Sequence, residues 1–568
     1  MTAHRKLTLV FGILCLGLLI ALGKAGMLQL VRGDALNTLS QKQYLRNLRY
    51  RAYRGNIYDR EGRILSTSVP VDSIFAEPRD IENPELAIQK IHNVAKDIPS
   101  QTLNRLDSDR AFMWLLRRTD PNTAAHLKSL SIKGLGFIKE ERRFYPNHAL
   151  LGQTLGSVTI DGHAISGIEK AFDGYLRPKS WDTLAWSDAL GKPIIRNLAP
   201  DLASLQGSDI YLTIDRDIQQ IAEEVLLKTV VKHRARGGWA IVLQPRTGEV
   251  LALANVPLAN PNYITSSSME FWRNNAISRT GEPGSTFKIF TYAAALDAGV
   301  ISPDEKIFCE NGIWDAGALT LRDVSKKGFL TPGEIFKYSS NIGTYKIAER
   351  IGKERLAHTL RLFGFGERPG LNLLEEAKGS VSDPKTWGQA RFANVSFGYG
   401  IMASSFQIAL AVSAIANGGV RVTPKILKYV KEPGGTLIQP FSKPSLTRAM
   451  SEKSAKELVQ IMIDDTRGDG SGAKAQIPGI LVAGKTGTAE KVDAKTGRYV
   501  KSLNLSSFVG FAPADNPEIL ALVVIDEPKG VAYGGAVAAP AWQAIASEAL
   551  IKKGMVSCSS ENCSAKSN

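Results

Sequence analysis

The sequence has 568 residues, of which 44% are hydrophobic and 22% are charged, a composition that is typical of folded globular proteins and argues against a disordered chain. The formal net charge is +15 and the isoelectric point is near 9.4, which would suit an anionic partner such as nucleic acid or an acidic membrane. Because zinc-finger spacing, Lys/Arg-rich runs and basic heptad helices are all absent from the sequence, nucleic-acid binding is not expected.

The four cysteines predict neither a metal site nor a nucleophile. Cys15 lies in an apolar run and Cys309 stands alone, whereas Cys558 and Cys563 lie close together near the C-terminus. None has the spacing of metal ligands, and histidines are lacking nearby. We therefore expect no metal and no other cofactor. Cys558 and Cys563 could form a disulfide or remain two free thiols, and the sequence does not distinguish these alternatives.

An apolar segment near the N-terminus predicts a membrane anchor. Residues 7–23 carry no charge and would form about 26 Å of helix, against a hydrocarbon core about 30 Å thick. Lys24 can snorkel while apolar residues extend the span to residue 31. The alternative is a cleaved signal peptide, because Ala21-Leu22-Gly23 resembles a cleavage site. We expect an uncleaved anchor over 7–31, with the basic residues 1–6 in the cytoplasm and the remaining chain exported.

Residues 32–205 are predicted to form an elongated pedestal domain. Its first part, 34–54, is polar and predicted to be a mostly helical stalk. Residues 54–65 contain a turn sequence between two short β-type segments, which predicts a hairpin. Residues 83–135 have helical spacing, and 152–175 are Gly-rich and loop-like.

A second domain is predicted over 206–555, followed by a polar tail over 556–568. A helix is expected over 216–233, a hairpin from 239–243 and 250–255, and a closing helix over 538–552. Three further strand-like runs come late, at 480–489, 506–512 and 518–525. Two early strands and three late ones, with helices between them, predict a mostly antiparallel sheet with helices on both faces, and hence a multidomain α+β protein.

Ser285 and Lys288 are the strongest candidates for chemistry. The segment Glu282-Pro283-Gly284-Ser285-Thr286-Phe287-Lys288 opens a helix that is apolar all round and therefore buried. Residues three apart share a face of the first turn, so Lys288 lies beside Ser285. Because an apolar setting lowers the pKa of a lysine, its neutral amine can serve as the base that a serine nucleophile needs.

Two further motifs can supply the rest of a site for a peptide substrate. In Ser339-Ser340-Asn341, the Ser339 hydroxyl can relay a proton and the Asn341 amide can both donate to and accept from a peptide. In Lys485-Thr486-Gly487-Thr488, a cation beside hydroxyls on a strand can hold a carboxylate, and Gly487 lets a backbone lie close. Similar motifs elsewhere are interpreted as decoys, because they lack an apolar helix or a strand; they are Ser382-Asp383-Pro384-Lys385, Ser471-Gly472-Ala473-Lys474 and Lys495-Thr496-Gly497.

Together the three motifs, in this order, resemble those of penicillin-recognising serine enzymes. The chain resembles a class B penicillin-binding protein over nearly its whole length. Further segments carry this resemblance: 54–65, Arg143-Phe144-Tyr145-Pro146, Gly167-Ile168-Glu169, Ile214-Asp215, Ser396-Phe397-Gly398-Tyr399-Gly400 and Ser507-Phe508-Val509-Gly510-Phe511-Ala512-Pro513. Two departures bear only on the branch of the family: Leu176-Arg177-Pro178-Lys179 replaces a Gly-rich stretch, and Ser404 replaces a threonine.

The resemblance implies a role for each matched residue. Ser285 becomes the acylated serine with Lys288 as its base, and Ser339 and Asn341 form the second active-site element. Lys485, Thr486 and Thr488 bind the substrate carboxylate, and the backbone N–H groups of Ser285 and Thr488 form the oxyanion hole. Two roles remain open for the pedestal residues: they form ion pairs that fix a hairpin, or they contact a polymerase partner. These residues are Arg54, Gly55, Asp59, Arg60, Gly62 and Glu169.

The resemblance further implies a peptidoglycan D,D-transpeptidase in the cytoplasmic membrane, with its catalytic domain outside the cytoplasm. Its expected partners are stem peptides as substrates, β-lactams as covalent inhibitors, a membrane glycosyltransferase and division proteins. The length favours the division-specific branch over the elongation-specific one. A β-lactamase or β-lactam sensor is disfavoured by the pedestal, a non-catalytic wall-binding scaffold by the intact motifs, and a bifunctional class A enzyme by the lack of room for a glycosyltransferase domain.

Overall fold

The computed structural model describes residues 3–34, 36, 45–187, 193–194, 202–264, 270–317, 319–440, 446–493 and 496–556. Contacts between Cα atoms divide the chain into two compact units. One comprises Met1–Arg54 and Arg177–Gly207, and the other comprises Gly55–Leu176 and Ser208–Asn568. Cys558 and Cys563 lie outside the described residues, so the predicted alternatives for them stay open. The predicted boundaries of the pedestal and of the second domain also stay predictions.

The first unit contains the N-terminal helix, Ala3–Gly26, which continues as a π-helical turn over Met27–Val31. From His4 to Val31 this helix is long and apolar enough to cross a membrane, and none of its central stretch is buried against the protein. The unit also contains a sheet of three strands, Leu45–Arg51, Ser180–Ser187 and Pro193–Ile194. The predicted helical stalk is therefore wrong over 45–51. This strand pairs antiparallel with a segment that is distant in sequence, a partner that local pattern cannot reveal.

In the second unit, a seven-stranded sheet contains strands from both predicted domains, and we call it the shared sheet. The predicted hairpin is confirmed in it, with Ile57 opposite Ser66 and Gly62 in the turn at φ +85°. Ile57 also pairs in parallel with Ile210, which comes from the second predicted domain. The strands of the shared sheet are Ile57–Tyr58, Ile64–Ala76, Met113–Thr119, Leu135–Phe144, Asp209–Leu212, Leu427–Lys431 and Leu437–Ile438.

Two local predictions for the pedestal need correction. Residues 83–135 contain the helices Pro84–Val94, Ser100–Leu103 and Pro121–Ser129, but Met113–Thr119 is a strand of the shared sheet. A short apolar run fits either element, and here pairing with Ile64–Ala76 decides. The region predicted as loop contains three short helices, Gly152–Leu155, Gly167–Ala171 and Asp173–Leu176; the first is wholly buried, and the other two bury Ile168, Glu169 and Leu176.

The predicted antiparallel sheet of the second domain is confirmed, and we call it the central sheet. Its five strands lie in the order Glu249–Val256, Gly237–Gln244, Ile519–Asp526, Tyr499–Ala512 and Ala483–Val492, each antiparallel to its neighbours. The early hairpin, the three late strands and both predicted helices are present, the helices as Arg216–Lys232 and Gly534–Lys552. Ala483–Val492 is the terminal strand of this order.

The central sheet separates two hydrophobic cores, because successive side chains of a strand point to opposite faces. On one face, Ala240 and Val242 pack with Trp542 of the closing helix Gly534–Lys552. On the other face, Trp239 and Ile241 belong to a second core together with the buried helices that carry the candidate site. These elements lie between the early and late strands; they are the helices Asn275–Ser278, Lys288–Ala298, Pro332–Lys337, Asn341–Ile351, Lys353–Leu362, Gln389–Ser396, Ser405–Ala416 and Glu452–Asp465.

Short strand pairs complete the second unit. They are Thr280–Gly281 with Ala403–Ser404, Ile307–Phe308 with Phe329–Leu330, Ile313–Asp315 with Thr320–Arg322, and Val420–Val422 with Leu446–Arg448.

Candidate active site

Ser285 lies in a 3-10 turn, Gly284–Phe287, that leads directly into the buried helix Lys288–Ala298. The serine is half-buried, while Thr286, Phe287 and every helix residue from 288 to 295 are buried. Gly284 has φ +60°, and a Cβ atom at this position would lie 3.0 Å from the carbonyl oxygen of Thr488. The glycine thus allows the turn that carries Ser285 to pack directly against the strand Ala483–Val492.

The side chain of Lys288 is completely buried and is held against the Ser339 segment. Its Nζ donates to the carbonyl oxygen of Ser339 at 2.5 Å and lies 3.1 Å from the Ser339 Oγ. Burial and, next, the positive charge of Lys485 lower the pKa of Lys288 to about 7, while Asp323 and Asp465 act in the opposite direction. A substantial fraction of the amine is therefore neutral near pH 7 and able to accept a proton.

The Ser339 segment is held in a specific backbone conformation. Ser339 has φ +55°, a left-handed value that is uncommon for a residue with a side chain and often marks a functional position. Asp323, which the sequence analysis did not single out, accepts hydrogen bonds from the backbone N–H groups of Asn341 at 2.5 Å and Ile342 at 3.1 Å. Asn341 Nδ2 donates to the carbonyl oxygen of Arg322 at 3.2 Å. These contacts hold Asn341 at the start of its helix.

The strand Ala483–Val492 brings the third motif to the same place. A Cβ atom at Gly487 would lie 2.8 Å from Thr286 Cγ2, so only glycine lets the strand approach the turn that carries Ser285 so closely. The hydroxyl of Thr488 accepts a hydrogen bond from the backbone N–H of Gly534 at 3.1 Å. This strand is the terminal one of the central sheet among the described strands, the position at which an extended peptide can add to a sheet.

Lys485 forms a buried ion pair that the sequence did not predict. Its Nζ lies 3.0 Å from Asp465 Oδ1 and 3.0 Å from Ser471 Oγ, and both Lys485 and Asp465 are fully buried. The Ser471 hydroxyl also donates to Asp465 at 2.8 Å and lies 2.6 Å from the Thr486 hydroxyl. Burial raises the pKa of Asp465, and the charge of Lys485 opposes that rise.

The structure thus brings the turn of Ser285, the side chain of Lys288, the Ser339 segment and the Lys485 strand together, and Asn341 starts the helix that follows Ser339. The individual roles predicted for these residues stay predictions. Ser382 lies elsewhere and accepts a hydrogen bond from the indole of Trp387 at 2.8 Å. Lys495 of the second Lys-Thr-Gly lies outside the described residues. Ser471, in contrast, contacts the site, so its interpretation as part of a decoy motif is wrong. Its sequence neighbourhood gave no signal of this, because the contact depends on how the chain folds back.

The pedestal residues lie in hydrogen-bonded networks. Glu169 is fully buried and accepts from Arg143 Nε at 2.7 Å, in an ion pair whose arginine side chain is 3% exposed. The carbonyl oxygen of Gly55 accepts from Arg143 Nη1 at 2.7 Å. Arg54 is buried as well, and its chain unit contains the N-terminal helix.

Asp59 holds the pedestal hairpin together. It is fully buried and accepts hydrogen bonds from the backbone N–H groups of Glu61 and Arg63, both at 2.9 Å, and from Arg63 Nε at 2.7 Å. Arg60 is partly exposed and pairs with Glu249 of the central sheet at 3.3 Å. Ion pairs are therefore present at the hairpin, and Arg60 keeps some exposed surface; the roles of the pedestal residues stay predictions.

Two segments of the chain match known protein families. Residues 238–547 match the penicillin binding protein transpeptidase domain, and residues 49–212 match the penicillin-binding protein dimerisation domain.

Relatives match along almost the whole chain. It is 32% identical over 554 residues to a probable peptidoglycan D,D-transpeptidase PenA of Neisseria gonorrhoeae, covering 96% of this chain and 92% of that protein. It is 31% identical over 550 residues to the peptidoglycan D,D-transpeptidase FtsI of Escherichia coli K12, covering 95% and 90%. The crystal structure of penicillin-binding protein 3 from Mycobacterium tuberculosis complexed with aztreonam matches with a TM-score of 0.69 at 27% identity, covering 89% of this chain and 97% of that one.

Proposed function

This chain belongs to the class B penicillin-binding proteins and is a peptidoglycan D,D-transpeptidase, and from that premise we propose that it acts through an acyl-enzyme on Ser285 with Lys288 as the base. The observation that carries the proposal is the complete burial of Lys288 beside Ser339. This burial lowers the pKa of Lys288 to about 7. A lysine exposed to solvent would be protonated at neutral pH and could not accept the proton of a serine.

The first half-reaction cleaves the terminal D-Ala–D-Ala bond of a stem peptide. Lys288 accepts the hydroxyl proton as Ser285 Oγ attacks the carbonyl carbon, and the new C–O bond gives a tetrahedral adduct. The C–N bond then breaks to leave an ester on Ser285, and the proton reaches the amine of the leaving D-alanine through the Ser339 hydroxyl. The distance of 3.1 Å between Lys288 Nζ and Ser339 Oγ supports this proton route.

The second half-reaction forms the cross-link. An amine of a neighbouring strand attacks the ester carbon and forms a new amide C–N bond, the C–O bond to Ser285 breaks, and the proton lost by the amine passes by the same route to Ser285 Oγ. We assign the backbone N–H groups of Ser285 and Thr488 to the oxyanion hole. Close packing of Gly284 against the Thr488 carbonyl supports this assignment, since it keeps the two segments adjacent. Asn341 would hold the substrate peptide, and Lys485, Thr486 and Thr488 its carboxylate.

Labelling with penicillin tests the nucleophile directly. We expect a labelled penicillin to bind the purified protein one to one and the digested adduct to carry the label on the peptide containing Ser285. Ser285→Ala should remove labelling, whereas Ser382→Ala should keep it. Mass spectrometry that found the label on Ser382 or Ser471 would contradict the assignment. Rapid hydrolysis of penicillin, in place of a lasting adduct, would instead favour a β-lactamase.

The same reagent tests the outward orientation that we propose for the catalytic domain. The N-terminal helix supports a single-pass anchor, and its basic flank at His4, Arg5 and Lys6 favours an N-terminus that stays in the cytoplasm. A labelled penicillin that does not cross the cytoplasmic membrane should therefore label the protein in intact spheroplasts. Labelling that appears only after lysis would refute the orientation.

We further propose that the enzyme acts in septal wall synthesis. The match to FtsI over 95% of this chain supports this role, and a membrane glycosyltransferase and division proteins are the partners it implies. Depletion of the protein should produce filamentous cells, scored by microscopy. Rounded cells would instead assign the enzyme to elongation, the alternative role, and would leave the transpeptidase chemistry untouched.

A further inference from the structure

Lys485 is expected to bind the carboxylate of the substrate, yet its ammonium group has no exposed surface. Its hydrogen bonds go to Asp465 Oδ1 and Ser471 Oγ, both at 3.0 Å, and Thr486 Oγ1 lies 3.5 Å away. The ring of Phe336 covers the ammonium at 5.3 Å from the ring centroid. Two of the three ammonium protons are used in these hydrogen bonds, and the side chain has no exposed surface, so a ligand has no open position for a direct bond to Lys485.

The positive charge of Lys485 can still act on a carboxylate indirectly, through the hydroxyl groups beside it. Ser471 Oγ contacts Asp465, Lys485 and Thr486 at once, the last at 2.6 Å. Thr486 and Thr488 are two residues apart on one strand, so their side chains point to the same face. A serine hydroxyl has a single proton, so Ser471 Oγ can donate either to Asp465 Oδ1 or to Thr486 Oγ1. When Ser471 donates to Thr486, the Thr486 proton is left for a carboxylate, and the hydrogen bond that Ser471 accepts from Lys485 strengthens this donation.

Asp465 is the last residue of the helix Glu452–Asp465 and is fully buried. Its Oδ1 accepts from both Lys485 and Ser471, whereas its Oδ2 is buried without a hydrogen-bond partner in the described part of the chain. A Cβ atom at Gly472 would lie 2.9 Å from Oδ2, so glycine there makes room for the carboxylate. A buried carboxylate that is only half satisfied is costly, which indicates that its position has a purpose other than stability.

We propose that Asp465 and Ser471 are positioning residues for carboxylate recognition: Asp465 fixes the Lys485 ammonium, and Ser471 couples it to the Thr486 hydroxyl, which binds the substrate carboxylate together with Thr488. The proposal rests on the transpeptidase function proposed above. Lys485 then acts on the carboxylate through these hydroxyls.

The charges around the site agree with this arrangement. Lys288 and Lys485 repel each other, and Asp323 and Asp465 act against that repulsion at Lys288. Asp465 therefore lets two lysines be buried at one site, one as the base and one for the carboxylate. Glycines at 534 and 535 let the start of the closing helix pack on this cluster, since a Cβ atom at Gly535 would lie 2.1 Å from the Ser471 carbonyl oxygen.

The test compares a ligand that has the carboxylate with one that lacks its charge. Benzylpenicillin and its methyl ester are used to acylate the purified full-length protein, and the ratio of their second-order acylation rates measures carboxylate recognition. Asp465→Asn and Ser471→Ala should each reduce the acid-to-ester ratio by about 10- to 100-fold, the usual effect of losing a hydrogen bond to a charged group. Ser471→Thr keeps the hydroxyl and should retain most of the ratio.

Two matched controls are available. Asp464→Asn removes the same charge from the adjacent, exposed residue of the same helix, and Ser382→Ala removes the hydroxyl of a Ser-x-x-Lys sequence outside the site. Both should keep the wild-type ratio. Equal losses of acid and ester acylation in Asp465→Asn and Ser471→Ala would show a purely structural role and overturn the proposal. If Asp465→Asn does not fold, the test rests on Ser471→Ala. An unchanged acid-to-ester ratio in that variant also overturns the proposal. Wild-type protein without any label on Ser285 would instead refute the proposed transpeptidase mechanism itself.

Discussion

Replacing Lys288 with arginine is expected to reduce the acylation of Ser285 by labelled penicillin by about 10²- to 10⁴-fold, the usual contribution of a general base. Arginine stays protonated at every accessible pH and cannot accept the serine proton. Lys288 is completely buried, so the larger guanidinium could also disturb packing. Lys288→Met, which has a similar length and no ionisable group, should show the same loss without that complication.

The pH dependence of acylation has a defined sign. With the pKa of Lys288 lowered to about 7, the neutral amine predominates above that pH and the protonated form below it. The second-order rate of acylation by penicillin should therefore fall about tenfold for each pH unit below about 7 and level off above it. A rate that stays constant from pH 8 to pH 5 would exclude Lys288 as the base.

Lys485→Arg provides the comparison within the same site. Arginine keeps the positive charge opposite Asp465, so we expect this variant to retain more acylation than Lys288→Arg. Lys474→Arg, at an exposed position three residues after Ser471, serves as a neutral control. Stopped-flow acylation rates and thermal unfolding of all three proteins should be measured together. Equal losses of acylation rate in the Lys288 and Lys485 variants would contradict the assignment of Lys288 as the base and of Lys485 to carboxylate recognition.

Glu169→Gln is expected to lower the free energy of unfolding by roughly 3–5 kcal/mol, the usual cost of breaking a buried ion pair by removing one partner. Glutamine keeps the size of the side chain but removes the charge opposite Arg143, whose side chain is only 3% exposed. The guanidinium would remain buried without its countercharge. Urea denaturation monitored by fluorescence or circular dichroism measures the change.

The matched control for this prediction is Glu82→Gln. Glu82 pairs with Lys133 at 2.8 Å, a distance close to that of the Glu169 pair, but both side chains are more than two-thirds exposed. Water replaces a lost surface pair at little cost, so this variant should unfold like the wild type. Similar unfolding curves for the Glu169 and Glu82 variants would show that the buried pair contributes nothing to stability.

The family and the fold class could be predicted because several weak motifs coincide in order along the chain. The central sheet was also predictable, since strands such as 239–243 and 518–525 are short apolar runs bounded by turn residues. Predictions failed where partners lie far away in sequence. The segment 45–51 is a strand only because 180–187 pairs with it, and Met113–Thr119 is a strand only because Ile64–Ala76 lies beside it.

The candidate nucleophile could be predicted from local pattern, because Ser285 and Lys288 are three residues apart at the start of a helix whose apolar composition implies burial. The surroundings of Lys485 could not, because they depend on long-range contacts. Asp465 ends a helix and Ser471 lies in a loop, and neither position carries a local pattern that indicates a role in the site. Their contacts with Lys485 arise because the helix Glu452–Asp465 packs against the strand Ala483–Val492, and long-range packing of this kind leaves no periodicity in the sequence.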